Sequence, residues 1–225
     1  MRPIAEPKIT WWELPNVVAY RERELILRCL QGALPVDRWR HHGLGLLQAY
    51  IDPRTRIHVW ARELARGTVT ENGARHDHRF DVESHVHHGA LLNHGLTIGR
   101  LKLHQVPDDE EWDQWSVWNV VNASEKDPRP PTLEEDGLDI ISDATTGLPT
   151  GVGYLFPKWA FHWTEPVYSE AGVVVTLVTR HNVEGAPARI LSKEAPAHGF
   201  TEGHLPSADL AKRVLDKAYF AMGGG

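Results

Sequence analysis

A single cysteine, Cys29, stands among 225 residues, which excludes an intrachain disulfide and any Cys-rich zinc module. A metal bound by this chain would have to rest on imidazole and carboxylate. Basic residues are in the minority: 24 Lys and Arg against 30 Asp and Glu give a net charge of -6. The surplus of positive charge that dominates nucleic-acid affinity is therefore missing. No apolar run approaches the roughly 20 residues that cross a bilayer, and the start, Met1-Arg2-Pro3-Ile4-Ala5-Glu6, lacks the apolar stretch of a signal peptide. These absences lead to the expectation of a cytoplasmic protein with no nucleic-acid partner and no membrane partner. Gly-x-Ser-x-Gly, the phosphate-cradling Gly-Lys-Ser/Thr loop and the dinucleotide fingerprint are also missing, so serine hydrolysis and nucleotide chemistry have no footing.

What the chain has in surplus is imidazole and indole, 14 His and 9 Trp beside 2 Met, a mixture suited to metal sites and aromatic-lined pockets. The 41% of hydrophobic residues, with no internal repeat and no clean linker, fits one hydrophobic core. Residues 1–42 read as an extended arm, anchored by Trp11 and Trp12, and one amphipathic helix over 17–33, capped by Asn16 and stopped near Gly32 and Pro35. Residues 43–195 are a succession of short apolar runs bounded by Gly and Pro. The turn Asp52-Pro53-Arg54 joins two of these runs; others are His76 to His88, Ala90 to Leu92, Leu96 to His104, Trp115 to Val121, Leu138 to Ser142, Gly153 to Phe156, Phe161 to Trp163 and Val173 to Arg180. Many short strands predict an all-β sandwich or barrel. An acidic, Pro-punctuated excursion over 107–136 reads as a solvated face, with a lid over a pocket as the sharper alternative. In 196–225, Ser207 caps a helix over 208–221 whose stripe of Leu210, Val214, Leu215 and Ala218 closes against the barrel.

The segment HDHRFDVESHVHHG, residues 76–89, carries the chemistry. Residues two apart diverge on a helix but point to the same side of a strand about 6–7 Å apart, so His76 and His78 on a strand can converge on one ion. A third ligand is needed. Glu83 lies five residues beyond His78 and falls on the opposite face of an unbroken strand, so it serves only through a β-bulge. The distant candidate is His162 in GYLFPKWAFHW.

These residues resemble the cupin family of small β-barrels, over roughly residues 43–180. His76, His78 and Gly89 match its first motif; Gly153, Pro157 and His162 match its second. Val82 occupies the family's usual carboxylate position and Trp159 the usual glycine between Pro and His, which favours a three-His site similar to that of cysteine-dioxygenase-like cupins. The resemblance implies a cupin-type double-stranded β-helix, or jelly-roll barrel, with flanking N- and C-terminal helices. It also implies one divalent metal on His76, His78 and His162, Fe(II) favoured, with Zn, Mn or Ni as alternatives. The expected activity is a non-haem iron dioxygenase acting on a small polar or anionic substrate. The alternatives are a non-redox isomerase, lyase or hydrolase and a non-catalytic ligand-binding barrel, and a homodimer is the expected assembly.

Beside the metal, His58 in RIHVWA and Tyr154 are the candidate catalytic residues, as a general base and a proton donor, although packing is the commoner role for both. Arg100 and Lys102 are candidate carboxylate binders. His85 and His87 share the parity of Glu83 and are expected on a solvated face or a subunit contact; His94 and His104 read as structural.

Overall fold

Alternation of side chains along the strands sets the layers of this molecule. The structure, a computed structural model, describes residues 4–42, 44–64, 75–100, 114–120, 130–196 and 206–224. Its strands are β1 (Thr10–Glu13), β2 (Arg40–His42), β3 (Leu46–Tyr50), β4 (Thr55–Ala61), β5 (Asp81–His88), β6 (Ala90–Gly99), β7 (Trp115–Val120), β8 (Thr132–Pro149), β9 (Val152–Phe156), β10 (Phe161–Val167), β11 (Val173–His181) and β12 (Ala188–Ser192). Two helices, α1 (Asn16–Arg28) and α2 (Ala208–Ala221), flank them. The strands form two antiparallel sheets, a seven-stranded one in the order β1-β9-β5-β11-β4-β3-β2 and a five-stranded one in the order β10-β6-β8-β7-β12. Neither sheet closes on itself. The chain is thus mostly β with a helix toward each end, and among the described residues no helix is long and apolar enough to cross a membrane.

In the middle of the seven-stranded sheet both faces are buried. Leu47 and Ala49 of β3, Ile57, Val59 and Ala61 of β4, and Val173, Val175 and Leu177 of β11 form one core with Ile26, Leu27, Val214, Leu215 and Ala218 of the helices. Their alternates, Leu46, Trp60 and Val174, pack with Val86, Leu91, Leu148 and Tyr154 between the sheets. Gln48, His58 and Thr176 share that inner parity and line a cavity there. A register slip of one residue would push these polar groups under the helices, so the pattern specifies the face.

From β5 onward the chain passes repeatedly from one sheet to the other, at Gly89, 150–151, 157–160, 168–172 and 182–187. Gly89 makes the first crossing in one residue at φ 73°, where a Cβ would lie 2.8 Å from Val174 Cγ2. Only glycine fits that conformation and that contact.

Several elements differ from the sequence expectations. The run predicted from His76 to His88 is broken: His76 makes isolated bridges, residues 79–80 bend, and the strand starts at Asp81. β6 runs unbroken through Asn93, His94 and Gly95, because its partner β8 supplies a continuous ladder from Ser142 to Pro149. β8 itself is far longer than the predicted Leu138 to Ser142; the stretch Asp143-Ala144-Thr145-Thr146 has no apolar alternation, yet it is held by backbone pairing. The aromatic arm is an edge strand: β1 pairs with β9, and Trp12 lies over Gly153, where a Cβ would come within 2.7 Å of the indole. Asn16 does not cap α1, since the helix starts one residue earlier and the carbonyl of Pro15 accepts from Val18 and Ala19. Ser207 does cap α2, accepting from the Leu210 N–H at 3.3 Å. The 107–136 excursion lies largely outside the described residues, as do Lys102 and His104.

Candidate metal centre

His76 and His162 are directly opposed. The N–H of each donates to the carbonyl of the other at 2.9 Å, making a hydrogen-bonded antiparallel pair whose side chains share a face. His76 also bridges to Ile190, so the segment 75–77 is laid against both β10 and β12, the two edge strands of the five-stranded sheet. His78, two residues on, returns to the side of His76, and the Trp159 N–H fixes its backbone by donating to its carbonyl at 2.9 Å. The three ring centroids stand 4.8, 4.7 and 5.0 Å apart, and one nitrogen from each ring lies within 4.8 Å of the others. His-x-His plus a cross-strand histidine therefore places three imidazoles around one point.

Aromatic rings fix two of them: His78 stacks on Phe80 at 4.9 Å and His162 leans on Phe156 at 4.1 Å. Asp77, between the two histidines, points the other way into a fully buried bond with Arg189. Trp159 holds φ 65°, the left-handed region, at the position where glycine was expected. Its ring is kept buried beside the Arg189 guanidinium at 5.5 Å.

The triad opens into a cavity of about 80 Å³ between the sheets, well above the roughly 10–15 Å³ needed to admit a single water. His58 and Tyr154 both line it, and Arg100 does not, being tied to Glu135 at 3.2 Å on the surface. The cation that does line it is Arg56, which sequence reading passed over because a basic residue in an alternating strand looks like a solvent-facing one. Its guanidinium donates to Gln48 Oε1 at 3.2 Å, while its Nε is shielded from solvent and meets no partner. The Nε2 of His58 is equally buried and unpartnered, a state that costs about 1–3 kcal/mol unless a bound molecule satisfies it.

Burial, then the neighbouring His76, holds His162 far below the usual imidazole range; burial followed by the nearby rings does the same for His78. Both rings are neutral, as metal ligands must be. Burial and Arg56 depress His58 likewise, and burial takes His42 down to about 3. Burial also pushes the Tyr154 phenol up, so it keeps its proton.

These depressed histidines make an acid-stability prediction. Above pH 6.5 both folded and unfolded chains are neutral at His42 and His58; below it the unfolded chain gains protons that the folded chain refuses. Stability therefore falls as pH falls, by about 1.4 kcal/mol per group at pH 5.5, or roughly 3 kcal/mol for the pair. Urea midpoints at pH 7.5 and 5.5 measure it, His78 and His162 adding to the total in the same way, and His58→Phe is expected to shrink the difference by one group's share, about 1.4 kcal/mol; an equal loss in both proteins would refute the assignment.

Glu83 is not near the triad. It lies on the outer face of β5, 3.1 Å from His85 and 2.6 Å from His181. His85 and His87 share that outer face as expected, but solvent does not cover it: α1 lies over them, with Glu22 2.8 Å from His85 and 2.9 Å from His87. Burial opposes ionisation of Glu22, yet the bonds to the two imidazoles outweigh it and hold the carboxyl at about 2. The sequence could not show this partner, which comes from a helix sixty-odd residues away. His94 lies outside the triad, stacked on Trp163 at 3.8 Å and 2.9 Å from the Thr145 hydroxyl.

Compared with known proteins, the chain matches no family model and no curated protein.

Proposed function

We propose that this chain is a metal-dependent enzyme of the cupin type, a non-haem iron dioxygenase acting on a small anionic substrate. The observation that carries the reading is the convergence of His76, His78 and His162 on one point at the wall of a cavity that also holds Arg56. The barrel assignment draws support from the repeated crossings between sheets, the single-residue turn at Gly89, and the left-handed backbone of Trp159 two residues after Pro157.

The donor set fits a divalent first-row ion: three imidazoles, two of them held neutral by burial, and no carboxylate. When bound, such an ion supplies a cationic centre with positions left for substrate and oxygen. The remaining roles fall to the protein. Arg56 faces a substrate carboxylate with a donor that has no partner of its own, and Gln48 steadies its guanidinium. Neutral His58, with Nε2 unpartnered, accepts a proton from a bound substrate, and Tyr154 offers one. Leu46, Trp60 and Leu91 keep bulk water from that wall, which strengthens each of these interactions. The same neutral base beside an all-imidazole ligand set also suits a non-redox reaction with zinc as Lewis acid.

Elemental analysis of untagged protein and an oxygen electrode, run against a panel of small carboxylates, separate the two readings. Oxygen uptake is expected to need added Fe(II) and to vanish in His76→Ala. Full uptake in that variant, or turnover of a zinc-only protein without oxygen, overturns the dioxygenase.

A further inference from the structure

The Glu22, His85 and His87 cluster has no part in the cavity chemistry, since it lies on the opposite face of β5 from Val82, which lines the cavity. We propose that these three residues form a second divalent-cation site, which fastens α1 to the outer face of the seven-stranded sheet.

His85 and His87 repeat the two-residue spacing that lets imidazoles chelate from a strand, and Glu22 brings a carboxylate down from the helix. Its Oε2 lies 2.8 Å from His85 Nδ1 and 2.9 Å from His87 Nε2. Donors at right angles around an ion with bonds of about 2.1 Å stand about 3.0 Å apart, so the carboxylate oxygen already stands at that spacing from each imidazole nitrogen, and all three donor atoms lie within 4.8 Å of one another. The side chains are enclosed, 12% exposed for His85, 4% for His87 and 21% for Glu22. Trp12 adds an indole edge against His85 at 6.0 Å.

The second observation is behind the ring. His85 Nε2, the nitrogen turned away from Glu22, meets Glu83 Oε1 at 3.1 Å, and the other oxygen of Glu83 is held by His181 at 2.6 Å. A carboxylate on the remote nitrogen is the arrangement that fixes the tautomer of metal-ligating histidines and leaves the near nitrogen as donor. Two imidazoles with one carboxylate select zinc, cobalt or nickel over calcium or magnesium, which take oxygen ligands.

The test uses the full chain carrying His162→Ala, which removes a ligand of the cavity triad and leaves the outer cluster intact. Titration with Zn(II) by calorimetry and with Co(II) by visible absorption is expected to show one bound ion. Adding Glu22→Gln or His87→Ala is expected to weaken that binding by about 100-fold. Should Glu22→Gln disturb the helix, seen by circular dichroism, His87→Ala decides alone from the sheet side. Unchanged affinity in His87→Ala, or no ion bound by the His162→Ala protein, overturns the proposal. Failure of the cavity triad looks different: wild type then binds one ion rather than two, and that one is lost in His87→Ala.

Discussion

His162→Ala is expected to weaken divalent-metal binding in the cavity by at least about 100-fold, beyond the 10–100-fold typical of groups that only orient a ligand. The expectation rests on the fewness of the donors. Three imidazoles make up the whole group at this point, and among the described residues no carboxylate joins them that could replace one. The loss should come without unfolding, because the deleted ring borders an existing cavity and leaves Phe156 packed with Phe80, Val82 and Val178; a cost of about 1–3 kcal/mol is the scale for such a partly opened site. His58→Ala is the matching control: it removes another histidine from the same wall and is expected to leave metal affinity within about threefold, since affinity follows the coordinating atoms. Competition with a chromophoric chelator measures both. Tight cavity binding retained in His162→Ala, or lost equally in His58→Ala, would show that the triad is not the coordinating set.

Why these three residues were legible, when other parts of the site were not, follows from the range of the forces involved. The spacing of His76 and His78 is local, and two-residue periodicity survives even though the segment is a bridge and a bend, not the continuous strand that its β-branched flanks predicted. The outward parity of Glu83, His85 and His87 is local in the same way and holds in the structure. What covers that outer face is not local. Glu22 looks like one more charge on the solvent side of an amphipathic helix until the fold lays the helix on β5. Arg56 is hidden by the same logic in reverse, a strand cation whose alternation places it inward among His58, Gln48 and Tyr154. The fold divides likewise. Short apolar runs marked β4 and β11, whose two faces each meet a core, whereas β8 has too many polar positions to register and exists because β6 and β7 pair with it on either side.

Asp77→Ala should be among the most destabilising single changes in the chain and should loosen the metal site although Asp77 touches no ligand position. Its carboxylate is 0% exposed and grips Arg189 twice, accepting from Nε at 2.6 Å and from the backbone N–H at 2.7 Å. Arg189 is itself 1% exposed, held between the rings of Trp159 and Phe161. Removing Asp77 leaves the buried guanidinium with Glu134 at 3.7 Å and the Trp159 carbonyl at 3.3 Å in place of its closest carboxylate, a cost toward the lower end of the about 3–5 kcal/mol for breaking a buried pair, or a fall in Tm on the order of 10 °C for a chain of this length. Because side chains alternate along 76–78, the bond that turns Asp77 inward is also what turns His76 and His78 toward His162. The substitution is therefore expected to lower metal affinity by about 10–100-fold as well. Pairing Asp77→Leu with Arg189→Met separates the two effects, since an apolar pair of similar bulk leaves no buried charge and restores much of the stability. If the pair only stabilises, metal affinity never moves; if it also orients the histidines, affinity stays low in the double variant after Tm has recovered. An Asp77→Ala protein within about 1 kcal/mol of wild type would show that the buried pair does not anchor this segment.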